Sequence, residues 1–258
     1  MNQLNKNKTN NMKKTRKTNV DEQAIEEIEQ KPKRVLHPSV LHNITLTEKQ
    51  KKVLELIEKN KINIIIGPAG TSKTFLSCYY AIDAINSKKF DRIILTKPIQ
   101  EAGEKLGFLP GDIASKIDPH YESFRTNLLE FINKTTLEKF IKQEVIEYKP
   151  LAYMRGTTHK NSLVILSEAQ NCDIRQLILF ITRMGKNSKI IIEGDISQYD
   201  IGIDHIALQF FTDMIKDISS VNVFTFERSD IMRDQILIEI TDRYEKLKNS
   251  KHLPKNMK

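Results

Sequence analysis

An apolar run that passes directly into a glycine-containing turn and a Lys-Thr pair constrains the fold of this chain more than any other feature. Residues 61–74 read KINIIIGPAGTSKT, and the helical sequence KTFLSCYYAIDAIN begins at Lys73. A strand, a tight turn and a helix in this order are typical of a phosphate-binding loop, because the backbone N–H groups of the turn and the positive end of the helix dipole face one anion. The alternative is a strand–turn–helix corner that binds no ligand.

Individual side chains of this loop have predictable tasks. In loops of this kind the lysine, here Lys73, reaches the outer phosphate oxygens, and the hydroxyl of the next residue, Thr74, ligates Mg²⁺. We therefore predict a nucleoside triphosphate and Mg²⁺ at this position, bound by Gly67, Pro68, Ala69, Gly70, Thr71, Ser72, Lys73 and Thr74.

Ser72 departs from the usual pattern, in which a glycine precedes the lysine. We expect this departure to cost little. A residue that already belongs to the start of the helix contributes its backbone N–H and has no need of a positive φ.

Short apolar segments alternate with helical ones along most of the 258 residues. Such alternation favours a parallel sheet covered by helices on both faces. The predicted fold is therefore α/β, a RecA-like P-loop NTPase domain. Strands are predicted at 62–66, 92–96, 162–166, 189–193 and 221–226, and helices at 46–60, 73–87, 173–185, 204–218 and 233–248.

Two regions fall outside this alternation. Residues 1–35 carry too few apolar side chains to offset the entropy of ordering, so we predict a disordered tail there and a single domain over 36–258. Residues 97–160 are Gly/Pro-rich and charged, and we interpret them as an insertion at the ligand-binding edge of the sheet.

The charge of the chain leaves its partners open. The formal net charge is +8, but residues 1–19 hold six basic and no acidic side chains, so the remainder is only weakly basic. No stretch has the ~20 consecutive apolar residues that cross a membrane, and the lysine-rich start lacks the apolar core of a signal peptide. We expect no membrane partner.

Polar side chains follow two of the predicted strands, and ligands of open parallel sheets sit at such carboxyl ends. Ser167 and Glu168 follow the strand at 162–166, where an ATPase usually carries two adjacent acids. Glu168 can orient water, but Ser167 is neutral. Asp195 and Gln198 follow the strand at 189–193 and could sense a γ-phosphate. For each residue the alternative is a polar side chain that merely ends a strand.

Six segments together resemble the PhoH-like family of P-loop proteins. They are GPAGTSKT, TKPIQEAGEKLGFLPGD, PLAYMRGTT, ILSEAQN, FITRMG and GDISQYD, and the likeness spans about residues 45–245. The resemblance implies a cytoplasmic, ATP-binding protein with a helicase-like core. The Lys- and Asn-rich composition is similar to that of stand-alone versions carried by phages, which would place the protein in the host cytoplasm.

The resemblance also implies roles for residues outside the loop. Gln50 would read the adenine, Glu168 would position the attacking water, and Asp195 and Gln198 would couple the γ-phosphate to movement. Candidates for an arginine that contacts a neighbour's nucleotide are Arg228 and Arg233. Such an arginine implies a homo-oligomeric ring, a hexamer. The alternative for either arginine is a surface ion pair.

Two functional hypotheses follow. The first is an ATP hydrolase whose turnover is coupled to single-stranded RNA. The second is an ATP-binding switch or ring that hydrolyses poorly, because Ser167 removes a carboxylate from the metal site and Ser72 alters the loop. A small-molecule kinase is disfavoured because no lid-like arginine cluster is present. For RNA contact we single out Lys97, Lys105, Arg155 and Lys160, which are otherwise solvated surface charges.

Overall fold

The computed structural model describes residue 41 and residues 44–98, 118–196 and 206–249. The predicted tail at 1–35, and with it Lys105 and Gln198, lies outside the described residues. The helices are α1 (Glu48–Lys59), α2 (Lys73–Asn86), α3 (Glu122–Leu129), α4 (Lys134–Lys142), α5 (Ile174–Ile181), α6 (Ile206–Ile215) and α7 (Gln235–Asn249). The strands are β1 (Ile62–Ile66), β2 (Arg92–Thr96), β3 (Ile146–Tyr148), β4 (Ser162–Leu166), β5 (Lys189–Gly194) and β6 (Val221–Thr225).

The described strands form one sheet in the order β3-β2-β4-β5-β1-β6, and each neighbouring pair is parallel. Ile, Val and Leu dominate β1, β4 and β5, because a parallel sheet with helices on both faces buries both sides of its central strands. The predicted α/β, RecA-like architecture is confirmed.

The strand that precedes the loop Gly67–Thr74 is β1, and β1 lies beside β5 rather than beside β4. Ile65 pairs with Glu193, and Leu166 pairs with Ile192, so β5 lies between β1 and β4. Because all of these strands run in the same direction, the residues after β1, β4 and β5 meet at one edge of the sheet. Most of the predicted site residues come from these segments, whereas Gln50 lies in α1 and Arg228 and Arg233 follow β6.

The region that we interpreted as an insertion contributes to the sheet itself. It supplies β3 at the sheet edge, paired with β2, and it supplies α3 and α4. The strand pattern did not predict β3, because three residues are too short for a visible alternation. The five predicted strands lie within one residue of their predicted ends.

Helix ends differ in how their first N–H groups are satisfied. Thr47 and Gln50 form a capping box on α1, and Asp173 and Gln176 do the same on α5. The cap residue of α2 is Ser72, which makes no side-chain capping bond, and the first turn of α2 holds no acidic residue. The amino end of α2 therefore keeps its N–H groups for a ligand.

None of the helices in the described ranges combines the length and the hydropathy that a membrane crossing requires.

Candidate nucleotide site

The loop between β1 and α2 is held by one hydrogen bond to β5 and by hydrogen bonds within the loop. The Gly67 N–H donates to the Gly194 carbonyl at 3.1 Å, and the Thr71 hydroxyl donates to the Pro68 carbonyl at 2.8 Å. Lys73 Nζ donates to the carbonyl oxygens of Gly67 (2.6 Å) and Pro68 (2.8 Å). The lysine thus lies across the mouth of the loop, where the phosphates of a nucleotide would meet its ammonium group.

Ser72 corrects one of our expectations. Its φ of 63° and ψ of 22° are left-handed, although we expected a residue at the start of the helix to avoid a positive φ. The loop must reverse direction immediately before Lys73, and this reversal requires the conformation that glycine adopts without strain. The glycine usually found at this position therefore has a backbone reason, and Ser72 takes the same conformation with a side chain attached.

Gly70 is packed against an arginine from the far end of the chain. Its φ is +88°, and a Cβ atom built on it would lie 2.7 Å from Arg233 Nε. The Met232 N–H donates to the Gly70 carbonyl at 2.9 Å, which fixes this approach. Arg233 therefore lines the cavity at this loop of its own chain, whereas Arg228 lies exposed in the turn Arg228–Asp230.

The Thr74 hydroxyl donates a hydrogen bond of 2.7 Å to Glu193 Oε2. Glu193 ends the apolar part of β5 and is buried. Burial raises the pKa of its carboxyl group. Four nearby groups lower this pKa, because they favour the ionised form: the hydroxyls of Ser77, Thr74 and Ser167 and the Lys73 ammonium. Sequence reasoning did not select Glu193, because it reads as the polar end of a strand.

The acids that we predicted after β4 and β5 are linked by Gln170. Gln170 Nε2 donates to Glu168 Oε2 at 2.6 Å, and Gln170 Oε1 accepts from the Asp195 N–H at 3.0 Å. Glu168 has a left-handed φ of 58°, a conformation that is uncommon outside glycine and clusters at functional sites. Ser167 is buried directly beside it.

These groups surround one cavity of about 490 Å³, a size usual for small-ligand sites. Its lining comprises Ala69, Gly70, Ser72, Lys73, Thr74, Phe75, Asn127, Ser167, Glu168, Gln170, Glu193, Gly194, Asp195, Met232 and Arg233. The structure thus brings together the loop, Glu168, Asp195 and Arg233. Phe75, Asn127, Gln170 and Met232 were not predicted, since no local signal marks them.

Charge in the cavity is balanced around Lys73. Burial lowers the pKa of the Lys73 ammonium, and Arg233 acts in the same direction. The carboxylates of Asp195, Glu193 and Glu168 act in the opposite direction and favour the charged form. An anionic ligand at the loop would add to their effect on the lysine.

The oxygen donors of the cavity fit a hard cation such as Mg²⁺. Mg²⁺ prefers oxygen ligands and keeps several waters, so a hydroxyl and one or two carboxylates suffice on the protein side. Thr74 and Glu193 provide such a set, and within the described residues Glu193 Oε1 is buried and accepts no hydrogen bond. The residues present therefore fit the metal.

Gln50 borders a second cavity of about 210 Å³ on the other side of the loop, with Thr71, Phe226 and Met232. Its Oε1 accepts the Thr47 N–H at 2.9 Å as part of the helix cap, and its Nε2 lies 3.2 Å from Met232 Sδ. The amide group of Gln50 is thus held in one orientation beside a partly apolar recess.

Of the residues predicted to contact RNA, those in the described part of the chain do not line the cavity. Lys97 follows β2, donates to Ser123 Oγ at 2.5 Å and lies over the Phe124 ring. The Leu151 N–H donates to the Lys97 carbonyl at 3.3 Å, which places the turn Leu151–Met154 next to it. Arg155 directly follows this turn and is exposed, as is Lys160.

Comparisons with known proteins show which family this chain resembles. A family model described as PhoH-like protein matches residues 43–245. The chain is 40% identical over 205 residues to a PhoH-like protein of Synechocystis, covering 79% of this chain and 62% of that protein. It is also 40% identical over 156 residues to protein PhoH of Escherichia coli, covering 60% of this chain and 44% of the relative. The chain thus spans less than two thirds of the length of these relatives.

Among solved structures, the chain is similar to a large terminase from a thermophilic bacteriophage. The TM-score is 0.50 at 13% sequence identity, over 79% of this chain and 50% of the terminase. At this identity the likeness concerns the fold alone.

Proposed function

Because this chain belongs to the PhoH-like family, we propose that it binds MgATP at the loop Gly67–Thr74 and hydrolyses it by attack of water. The observation that supports this proposal is the convergence on one cavity of the uncapped amino end of α2, Lys73 and the acid Glu168. These are the parts that phosphoryl transfer requires: an anion cradle, a cation and a group that orients the nucleophile.

Each part has a defined task in this proposal. The loop amides and Lys73 bind the phosphates, and Thr74 ligates the metal ion. When bound, Mg²⁺ neutralises charge on the phosphate oxygens. Gln170 holds one oxygen of Glu168, so the other oxygen orients a water molecule toward the γ-phosphate. Asp195 and Gln198 sense that phosphate, and Gln50 reads the adenine from the smaller cavity.

We propose that Arg233 contacts the nucleotide of its own chain, since it packs on Gly70. Arg228 remains our candidate for contact with a neighbouring subunit in a homo-oligomeric ring, a hexamer. A surface that a second copy could bury is present on α7, where Ile236 is 60% and Ile240 is 57% exposed.

We further propose that the protein acts in the cytoplasm. The Lys- and Asn-rich composition supports a phage-encoded origin.

Coupling to single-stranded RNA is supported by one surface at the carboxyl end of β2. Tyr153 lies in the turn Leu151–Met154 beside Lys97 and is 54% exposed, and Arg155 directly follows this turn. An exposed aromatic ring beside basic side chains is the combination that stacks bases and contacts the backbone of single strands. Lys105 and Lys160 complete the predicted set.

The second candidate function is an ATP-binding switch with little hydrolysis. It is favoured by Ser167, because this serine stands in the sequence where an ATPase usually carries the carboxylate that supports the metal. The left-handed Ser72 adds strain to the same loop. A switch would retain intact ATP, whereas a hydrolase would release phosphate.

Steady-state phosphate release, measured with and without single-stranded RNA, tests the proposal. We expect Lys73→Ala to abolish both ATP binding and release, and Glu168→Gln to abolish release while ATP still binds. Lys51→Ala, on the exposed face of α1, is the matched lysine control. Stable retention of intact ATP by the wild type would favour the switch, and absence of ATP binding would refute both functions.

A further inference from the structure

Glu193 is a buried carboxylate of the candidate nucleotide site that the sequence analysis did not select and the proposed hydrolysis scheme does not use. It is 1% exposed and lines the same cavity as Lys73 and Thr74. Its strand, β5, separates β1 from β4, so Glu193 lies one strand closer to the phosphate-binding loop than Ser167 does.

The hydrogen bond between Thr74 and Glu193 has the polarity that a metal-binding hydroxyl needs. The Thr74 hydroxyl has one hydrogen and two lone pairs. It donates the hydrogen to Glu193 Oε2 at 2.7 Å, which leaves its lone pairs for a cation. Glu193 therefore orients Thr74 in the way that a carboxylate behind a metal ligand does.

The other carboxylate oxygen of Glu193, Oε1, is a separate observation that indicates a ligand. Within the described ranges, Oε1 is buried and accepts no hydrogen bond of normal geometry, although the hydroxyls of Ser77 and Ser167 lie near the carboxylate. A buried carboxylate oxygen without a partner is costly, and native structures retain few of them without a functional reason. A metal-bound water would give Oε1 a well-aligned donor.

Ser167 allows Glu193 to remain ionised, because it adds no second carboxylate beside it. Leu166 pairs with Ile192, so the residues that follow them, Ser167 and Glu193, are level at the ends of neighbouring parallel strands and face the same side of the sheet. An aspartate at position 167 would place two carboxylates side by side, and one of them would resist ionisation. A serine hydroxyl beside Glu193 avoids that repulsion.

We infer that Glu193 supplies the carboxylate of the Mg²⁺ site that is missing at Ser167, with the acid moved from the end of β4 to the end of β5. This inference rests on the proposed function, because it concerns the metal that accompanies ATP. It changes the significance of Ser167: the site has kept an acid, so the serine alone does not make hydrolysis weak.

The test is calorimetric binding of ATP to the full chain in Mg²⁺ and in EDTA. For the wild type we expect tighter binding in Mg²⁺. Glu193→Gln should lose about 10–100-fold of the affinity for MgATP, the usual effect of removing a group behind a metal ligand, while binding of ATP in EDTA stays within about threefold. Asp195→Asn tests the other buried acid, and Glu122→Gln is an exposed acid control.

Two outcomes separate the inference from the proposed function. If the wild type binds no ATP in either buffer, both are wrong. If the wild type binds MgATP and Glu193→Gln binds it equally well, only the inference is wrong, and an effect confined to Asp195→Asn would assign the acid there.

A second pair of variants keeps the inference testable if Glu193→Gln fails to fold. Ser167→Asp in the wild type should give no gain in MgATP affinity, because it crowds a second acid beside Glu193. The double variant Ser167→Asp/Glu193→Gln should bind MgATP within about threefold of the wild type, since an acid is again present. A gain of about tenfold or more from Ser167→Asp alone would overturn the inference.

Discussion

Gln170 Nε2 donates a hydrogen bond of 2.6 Å to Glu168 Oε2, while its own Oε1 accepts the Asp195 N–H. One amide side chain thereby joins the ends of β4 and β5 and orients the acid that we propose to position water. Glu168 also has a strained left-handed backbone, so its side chain is held from two directions.

Gln170→Ala should lower the kcat of ATP hydrolysis by about tenfold or more and leave KM nearly unchanged. A hydrogen bond to a charged group is worth about 1.5–3 kcal/mol, and about 1.4 kcal/mol corresponds to one factor of ten in rate. Steady-state kinetics separates the two constants. Gln209→Ala, on the exposed face of α6, is the control. A rise in KM without a fall in kcat would contradict a positioning role.

Arg233 should act on the nucleotide of its own subunit. Its side chain packs on Gly70 of the same chain, so a mixture of Lys73→Ala and Arg233→Ala subunits should hydrolyse ATP no faster than the sum of the two separate variants. An arginine that acted across an interface would restore activity in mixed oligomers. Phosphate release from equimolar mixtures of the two variants measures this effect. Activity above the sum of the separate variants would show that Arg233 acts on the nucleotide of a neighbouring subunit.

Ser72→Gly should stabilise the protein by about 0.5–1 kcal/mol. A left-handed residue with a side chain costs roughly 1–2 kcal/mol, and the greater freedom of glycine in the unfolded chain offsets about 0.5–1 kcal/mol of the relief. Ser87 follows the other end of α2 with a φ of −81° and donates to the Asp83 carbonyl, so Ser87→Gly should destabilise instead. Chemical denaturation of both variants gives the comparison, and a loss of stability in Ser72→Gly would contradict the prediction.

Lys189 should make stability rise between about pH 8 and about pH 10. Its ammonium is partly buried and donates to the carbonyl oxygens of Ile57 and Glu58, and burial lowers its pKa from 10.5 to about 8. Between these two values the unfolded chain binds more protons than the folded chain, so the free energy of unfolding increases with pH. Below about pH 8 both states are charged and this gain is lost.

Denaturation of the wild type and of Lys189→Met at about pH 7.5, 8.5 and 9.5 measures this effect. The variant loses the hydrogen bonds at every pH, so the informative quantity is the change in the difference between the two proteins. A difference that stays constant across this range would show that the pKa of Lys189 is not lowered in the folded state.

Local sequence predicted the central strands closely. β1, β2 and β4 have the predicted bounds, because each consists mainly of apolar residues, and such a segment is buried on both faces of a parallel sheet. β3 was missed because three residues at a sheet edge, IEY, carry no readable pattern. The PhoH-like assignment is confirmed, whereas the phage origin stays a prediction.

The chemistry of the site depended on strand order in a way that the sequence does not show. When β4 is considered alone, Ser167 indicates that the site lacks one of the two acids that an ATPase usually carries there. The order β4-β5-β1 places Glu193 between that position and Thr74. Likewise, the return of the chain after β6 packs Arg233 on Gly70, although most of the domain separates the two residues in the sequence.

The sequence by itself determined the family, the parallel sheet and the position of the turn between β1 and α2 that we propose binds phosphate, because these depend on short-range patterns of apolar residues, glycines and a Lys-Thr pair. Only the tertiary structure decided which carboxylate faces Thr74, which arginine lines the site of its own chain and that Ser72 is left-handed. These features arise from the pairing and packing of segments far apart in the chain, and no local pattern encodes such contacts.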